Sequence, residues 1–327
     1  MPAVVATARS AAYLRLEELI AAERCVVLDG GIATELQREA PSEEPVSGEE
    51  ELWGTRALYR SPASVREVHR RYVAAGCDTI STNTWSILST PDAAQRLGPG
   101  GKDAHWLDAA RLGVQLAREA IEVEGRTGKC AVAFAMSEEI TSDRQRETVE
   151  LLTRALAEEP PDLILLETLT LIRDPSTFET VDLLLQTGLP IWLSFRRCRY
   201  GVCGVFGQHW GPPEGDLFGR AARRLEEHGV GALLINCLPF DHVPGIIPWL
   251  RDFTELPLGV YPNLGHLAGG RWRFDEHIGP SEYAELALQW RDEGAQIIGG
   301  CCGVTPEHIE AAAIALAGTK PGRKRAL

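Results

Sequence analysis

"DLILLETLTLIRDPSTFETVDLLLQTGLPIWLSF", residues 162–195, reads as strand, helix, strand. "LILLET" (163–168) and "IWLSF" (191–195) are short aliphatic runs of strand length. Between them Asp174-Pro175 marks a helix start: the aspartate is an N-cap, and a proline's missing N–H costs nothing at the first helical position. Two strands joined by a crossover helix run parallel. The same unit recurs along the chain, with strands "CVVLD" (25–29), "DTISTN" (78–83), "AVAFAM" (131–136), "ALLINC" (232–237), "PLGVY" (257–261) and "QIIGG" (296–300). Amphipathic stretches lie between them. In 103–124, Trp106, Ala110, Gly113, Ala117, Ala120 and Ile121 fall on one helical face, and Ser61-Pro62 and Thr305-Pro306 mark further helix starts. Eight such units predict an α/β fold, a (β/α)8 TIM barrel forming one domain over 1–327, with a preceding helix at about 11–23. No repeat interrupts it, and "REAPSEEPVSGEEE" (38–51) is expected to be a mobile acidic loop.

Composition narrows the function. The chain has 327 residues and a formal charge of −13, and no basic run is longer than the "GRKR" at 322–325, which argues against a nucleic-acid partner. No apolar stretch is long enough to span a membrane and the N-terminus has no signal-peptide pattern, so a soluble cytoplasmic protein is expected, as a monomer or homo-oligomer. Eight cysteines, at 25, 77, 130, 198, 203, 237, 301 and 302, then fit buried thiols or metal ligands better than disulfides.

A barrel places its chemistry at the C-terminal ends of its strands. Polar residues collect there: Asp29, Asn83, Glu167, Ser194, Asn236 with Cys237, Asn263, and Cys301 with Cys302. Neighbouring side chains in a strand point to opposite faces, so Cys301 and Cys302 converge only if the ladder has ended. Glycines 299, 300 and 303 are expected to allow this through backbone angles closed to other residues. Cys237, one strand removed from them, then completes a trio suited to tetrahedral zinc with one position left for substrate or water. Two alternatives stand beside it: small buried core thiols, and a strained vicinal disulfide.

The motifs "LDGGIATELQR" (28–38), "LLET" (165–168), "INC" (235–237), "YPN" (261–263) and "GGCCGVTPEHI" (299–309) together resemble the homocysteine S-methyltransferase family of zinc-dependent (β/α)8 barrels, over residues 25 to 316. The resemblance implies one Zn2+ per chain on Cys237, Cys301 and Cys302. It implies that Asp29 and Glu167, the candidate catalytic pair, hold the amino-acid end of homocysteine. It also places Trp53 near the methyl donor; Trp85 and Asn236 complete the candidate substrate-binding set. For Asp29, capping of its own turn competes with a substrate role; for the two tryptophans, loop packing competes.

The chemistry follows from such a site. A free thiol is only a few per cent thiolate at pH 7, a shortfall of about 2 kcal/mol that zinc removes. Three thiolates around Zn2+ carry a net −1, so an added sulfur stays electron-rich enough to attack a methyl group on a cationic donor. S-methylmethionine is the favoured donor, betaine and other thiol or selenol acceptors are the enzymatic alternatives, and a non-catalytic barrel with structural zinc, completed by His209, His266 or His277, is the alternative of another class. Two segments depart from the family pattern. "FAMSEEITSDRQRE" (134–147) replaces the usual "GS.GP" segment, so Ser137, Glu138 or Glu139 is expected at the rim. "SFRRCRYGVCG" (194–204) adds Arg196, Arg197 and Arg199, either a solvated loop or a carboxylate or phosphate site, while Cys198 and Cys203 read as structural.

Overall fold

The computed structural model describes residues 9–39, 54–89, 105–137, 139–170, 172, 175–199, 201–203, 209–210, 215–268, 271–274 and 278–323. Most of the acidic loop, with Trp53, Glu138, Asp174 and His277, lies outside them. Eight parallel strands form one sheet: β1 (Val26–Val27), β2 (Thr79–Ser81), β3 (Ala131–Met136), β4 (Leu163–Leu169), β5 (Ile191–Phe195), β6 (Ala232–Pro239), β7 (Leu258–Asn263) and β8 (Ile297–Ile298). Each pairs with its successor, and β8 returns to β1 through Val26 opposite Ile297. A bridge between Leu28 and Thr79 joins β1 to β2 and closes the ring. The expected α/β barrel is therefore present.

Its strands are buried on both faces, which explains their unbroken apolar sequence. Leu163, Leu165, Trp192, Ala232, Leu234 and Ile297 point into the barrel, while Ile164, Leu166, Ile191, Leu193 and Leu233 pack outward under the helices. Burial of each such aliphatic side chain stabilises the fold by about 1.5–3 kcal/mol. The N-terminal helix Ala11–Ala21 presents Ala12, Tyr13 and Leu16 to the interior cluster. Tyr13 Oη accepts from Trp192 Nε1 (3.3 Å) and Arg15 pairs with Asp78 (3.2 Å), so this helix plugs the end of the barrel where the strands begin. It stops two residues short of the expected boundary, because Glu23 turns to a left-handed φ of 54°.

Helix boundaries also refine the expectation. The helix predicted at 103–124 runs Trp106–Val123 and buries all six residues named for its inner face. Pro62 and Pro306 open their helices, but Pro175 occupies the N-cap itself. Thr305 forms a capping box in which His308, not an acidic residue, returns to the cap: Nδ1 accepts from the Thr305 N–H at 3.1 Å.

Candidate active site

Two strands are irregular, and both irregularities serve the same end of the barrel. On β4, Leu166 faces Leu193 and Leu169 faces Phe195, leaving Glu167 and Thr168 opposite Ser194 alone. On β6, Asn236 faces Tyr261 and Pro239 faces Asn263, leaving Cys237 and Leu238 opposite Pro262. Each is a bulge with a non-glycine residue at positive φ, Thr168 at 65° and Cys237 at 54°. Such backbone costs about 1–3 kcal/mol and clusters at functional sites, where a bulge re-aims a side chain.

The last strand ends at Ile298, so Cys301 and Cys302 lie in a turn beyond the ladder. That turn is stapled to β7: Cys301 N–H donates to Pro262 O (2.8 Å), Cys302 N–H to Asn263 Oδ1 (3.2 Å) and Leu264 N–H to Cys302 O (2.9 Å). Only Gly303 uses the backbone freedom expected of the three glycines, with φ of 86°. Gly299 and Gly300 are needed for space instead, since a Cβ at Gly299 would stand 2.6 Å from Leu28 Cβ. Gly31 is equally confined, its virtual Cβ lying 2.6 Å from Cys301 O. The "DGG" and "GGCCG" segments are thus one interlocked unit where β1 meets β8.

The sulfurs of Cys237, Cys301 and Cys302 lie within 4.8 Å of one another, with Cys301 and Cys302 Sγ 3.9 Å apart. Asn263 Nδ2 reaches Cys237 Sγ at 3.9 Å, so this one side chain braces both cysteine segments. Hydrogen bonds from Cys301 and Cys302 hold the Cys237 thiol well below its usual range, and bonding to Cys237 pushes the other two up. The trio therefore shares one negative charge readily. The seven cysteines whose side chains are described are free thiols; Cys198 is buried, and the Cys203 side chain lies outside the description, as do those of His209 and His266.

The trio opens on a cavity of about 450 Å3 that is also lined by Asp29, Glu167, Trp85 and Arg196. Asp29 is buried, and its Oδ2 accepts from the N–H (2.8 Å) and hydroxyl (2.7 Å) of Ser81. It thus reaches across to β2 as well as bonding its own backbone N–H. Glu167 Oε2 accepts from Tyr261 Oη at 2.9 Å. Each acid thereby has one oxygen held by the wall. Burial pushes Asp29 up to about 7 against the Ser81 bonds. Burial likewise pushes Glu167 up to about 8, opposed by the Tyr261 bond and reinforced by the negative charges of Asp29 and Cys237. Two carboxyls held this high form a site that a cation would relieve.

Other expected site residues fall differently. Asn236 is fully buried behind the wall: its Oδ1 accepts from Ser194 Oγ (3.0 Å) and its Nδ2 donates to Thr168 Oγ1 (2.8 Å). It supports the β4 bulge and does not line the cavity. Ser194 also contacts Tyr261 Oη, so Glu167, Tyr261, Ser194, Asn236 and Thr168 form one belt from β4 to β7. Trp53 lies outside the described residues. Ser137 and Glu139 turn from the cavity, Ser137 Oγ donating to Trp85 O (3.1 Å) and buried Glu139 bonding Thr177. Tyr261 and Ser81 were not foreseen as site residues; a polar group at the inward position next to an apolar strand's upper end is the signal that marks them.

A sequence model of homocysteine S-methyltransferase matches residues 26–316. The chain belongs to the homocysteine S-methyltransferase family. Homocysteine S-methyltransferase 1 of Zea mays is 28% identical over 337 residues, covering 93% of this chain and 98% of that protein. Homocysteine S-methyltransferase 3 of the same plant is 30% identical over 321 residues, 88% of each chain. Among solved structures, the metallated form of the homocysteine methyltransferase MmuM from Escherichia coli superposes with a TM-score of 0.66 at 25% identity, covering 91% of this chain and 99% of that one. This family member is an enzyme, a methyltransferase. None of its described helices is long and apolar enough to cross a membrane.

Proposed function

We propose that the chain transfers a methyl group from S-methylmethionine to homocysteine, with one Zn2+ held by Cys237, Cys301 and Cys302. One observation carries this: three sulfurs within 4.8 Å of one another share a cavity with two desolvated carboxyls. Three thiols of which one ionises readily, all within 4.8 Å of one another, are a donor set fitted to zinc. Zinc bound there supplies a Lewis acid that favours the thiolate form of sulfur.

The protein's own groups account for the rest. Asp29 and Glu167 bind the substrate ammonium through the oxygens that Ser81 and Tyr261 leave unengaged, which orients the acceptor sulfur toward the cysteines. The Trp85 indole on the cavity wall offers a face to the sulfonium, attracted also by the anionic site. In the transfer the acceptor sulfur loses its proton and gains the methyl group, the methyl–sulfonium bond breaks, and the donor leaves as a neutral thioether. Homocysteine and S-methylmethionine thus give two methionines and one proton. A neutral thioether leaves more readily than the tertiary amine left by betaine, which favours the sulfonium. The free thiols fit a reducing, cytoplasmic compartment, and the chain acts as a single barrel domain on small-molecule partners.

Methionine formation from homocysteine, assayed in parallel with S-methylmethionine, S-adenosylmethionine and betaine, tests the proposal. S-methylmethionine is expected to exceed betaine by at least about tenfold in kcat/KM, or about 1.4 kcal/mol. Turnover with betaine alone overturns the donor, and no turnover by metal-loaded protein overturns the acceptor.

A further inference from the structure

The three arginines after β5 have separate fates. The buried Arg197 guanidinium stacks on Phe218 at 4.6 Å from the ring centroid, and exposed Arg199 lies against Gly245. Arg196 lines the cavity and is the one cationic side chain among the described residues that do so. Its backbone N–H donates to Leu169 O (2.8 Å), which ties it to the strand whose bulge carries Glu167. On its other side β5 pairs with β6, the strand that carries Cys237. Arg196 therefore stands between the acid that meets the ammonium and the cysteines that meet the sulfur.

An amino acid bound at those two points still carries a carboxylate, on the same carbon as its ammonium. Inside a protein cavity, a carboxylate among Asp29, Glu167 and an anionic sulfur cluster is strongly unfavourable unless a cation meets it. The segment after β3 provides no such partner among the described residues, since Ser137 and Glu139 engage Trp85 and Thr177. A guanidinium on the strand next to Glu167 matches the carboxylate both in position and in its planar, two-pronged geometry.

We propose that Arg196 is a specificity-determining residue that binds the α-carboxylate of the acceptor amino acid, so that the cavity selects a zwitterionic thiol over a simple aminothiol. This rests on homocysteine being the acceptor. Glu167 on β4 and Arg196 just after the neighbouring β5, with Asp29 across the barrel mouth at the end of β1, then read the two charges of one carbon, while the cysteines read the sulfur at the far end.

Calorimetric titration of the zinc-loaded enzyme with homocysteine and with 3-aminopropane-1-thiol, which lacks only the carboxylate, tests this in the wild type, Arg196→Lys and Arg196→Met. The wild type is expected to bind homocysteine at least about tenfold more tightly than the aminothiol. Arg196→Met removes that preference, weakening homocysteine about tenfold or more while leaving the aminothiol within about twofold, and Arg196→Lys falls between. Equal weakening of both ligands in both variants shows that Arg196 acts through the fold or the sulfur site and overturns the proposal. Unchanged homocysteine binding with a raised KM for the methyl donor assigns the carboxylate to the donor and overturns it too. Wild-type enzyme that binds neither thiol overturns the acceptor itself, a failure visible before any variant is made.

Discussion

Replacing Glu167 by glutamine keeps the side chain's shape and its bond from Tyr261 while removing the charge. At pH 7 a carboxyl held at about 8 is about nine-tenths protonated in the free enzyme, so binding an ammonium must also expel a proton, at a cost of about 1.4 kcal/mol. The ion pair that forms gains about 4 kcal/mol at a 4 Å separation and an effective dielectric near 20, against about 1 kcal/mol for a neutral amide acceptor. The difference, about 1.6 kcal/mol, predicts that Glu167→Gln weakens homocysteine binding on the order of 15-fold at pH 7. The sign with pH is fixed by the raised value. The anion is the binding form, so wild-type affinity improves as pH rises toward 8, and the proton penalty falls to about 0.2 kcal/mol at pH 8.5. The ratio of variant to wild-type Kd should therefore grow a further eightfold or so between pH 7 and 8.5. Taking the ratio cancels the titration of the substrate. Calorimetry in two buffers of different ionisation enthalpy gives a second measure, with the variant releasing nearly one proton fewer at pH 7. A ratio independent of pH, or an unchanged Kd, refutes the placement of the ammonium at Glu167; loss of zinc would mean that Glu167 supports the sulfur site instead.

Purified protein should contain about one zinc per chain, and Cys237→Ala, Cys301→Ala or Cys302→Ala should lose most of it by elemental analysis, whereas full occupancy in the Cys301→Ala, Cys302→Ala double variant contradicts the site. Chelation should abolish activity well below the temperature at which the barrel melts, because the core is built without the metal. Tyr261→Phe removes the hydroxyl that holds Glu167 and should raise the homocysteine KM several-fold, about 1 kcal/mol, with little added effect in the Glu167→Gln background. His69 is fully buried, with neither ring nitrogen hydrogen-bonded among the described residues, and burial lowers it to about 3. Because this folded value lies below the unfolded 6.5, the stability is present above pH 6.5 and is lost as pH falls toward 3, by about 2 kcal/mol at pH 5. Urea midpoints of His69→Leu should be flatter than wild type between pH 6.5 and 5, and parallel curves would exclude His69 as a cause.

All eight strands were legible because a strand covered on both faces leaves an aliphatic run that little else produces. Their lengths were not: "CVVLD", "DTISTN" and "QIIGG" yield ladders of only two or three residues, since the glycine turns and Asp29 at their ends spend their backbone groups on each other. The cysteine trio was legible from the doubled thiol between glycines, although two of those glycines provide space and not torsion. The bulges at Glu167–Thr168 and Cys237–Leu238 were hidden, because threonine and cysteine give no sign that they will take a left-handed φ; the tertiary context imposes it. Asn236 illustrates the converse. Its position at a strand end suggested substrate contact, but which face a residue takes beside a bulge depends on the bulge, and it faces the wall.

The seam between the first and last strands also orders events during synthesis. Cys237 emerges some sixty residues before Cys301 and Cys302, and the turn bearing the latter two is shaped by Gly31 and Thr34 near the start of the chain. At about 5–20 residues per second, Cys237 is therefore synthesised several seconds before its two partner thiols. A nascent chain arrested before residue 300 holds one of the three thiols, so the proposed three-thiol zinc site is completed only once the final turn has left the ribosome. If zinc is held there as proposed, its uptake reports the docking of the last turn onto the first strand.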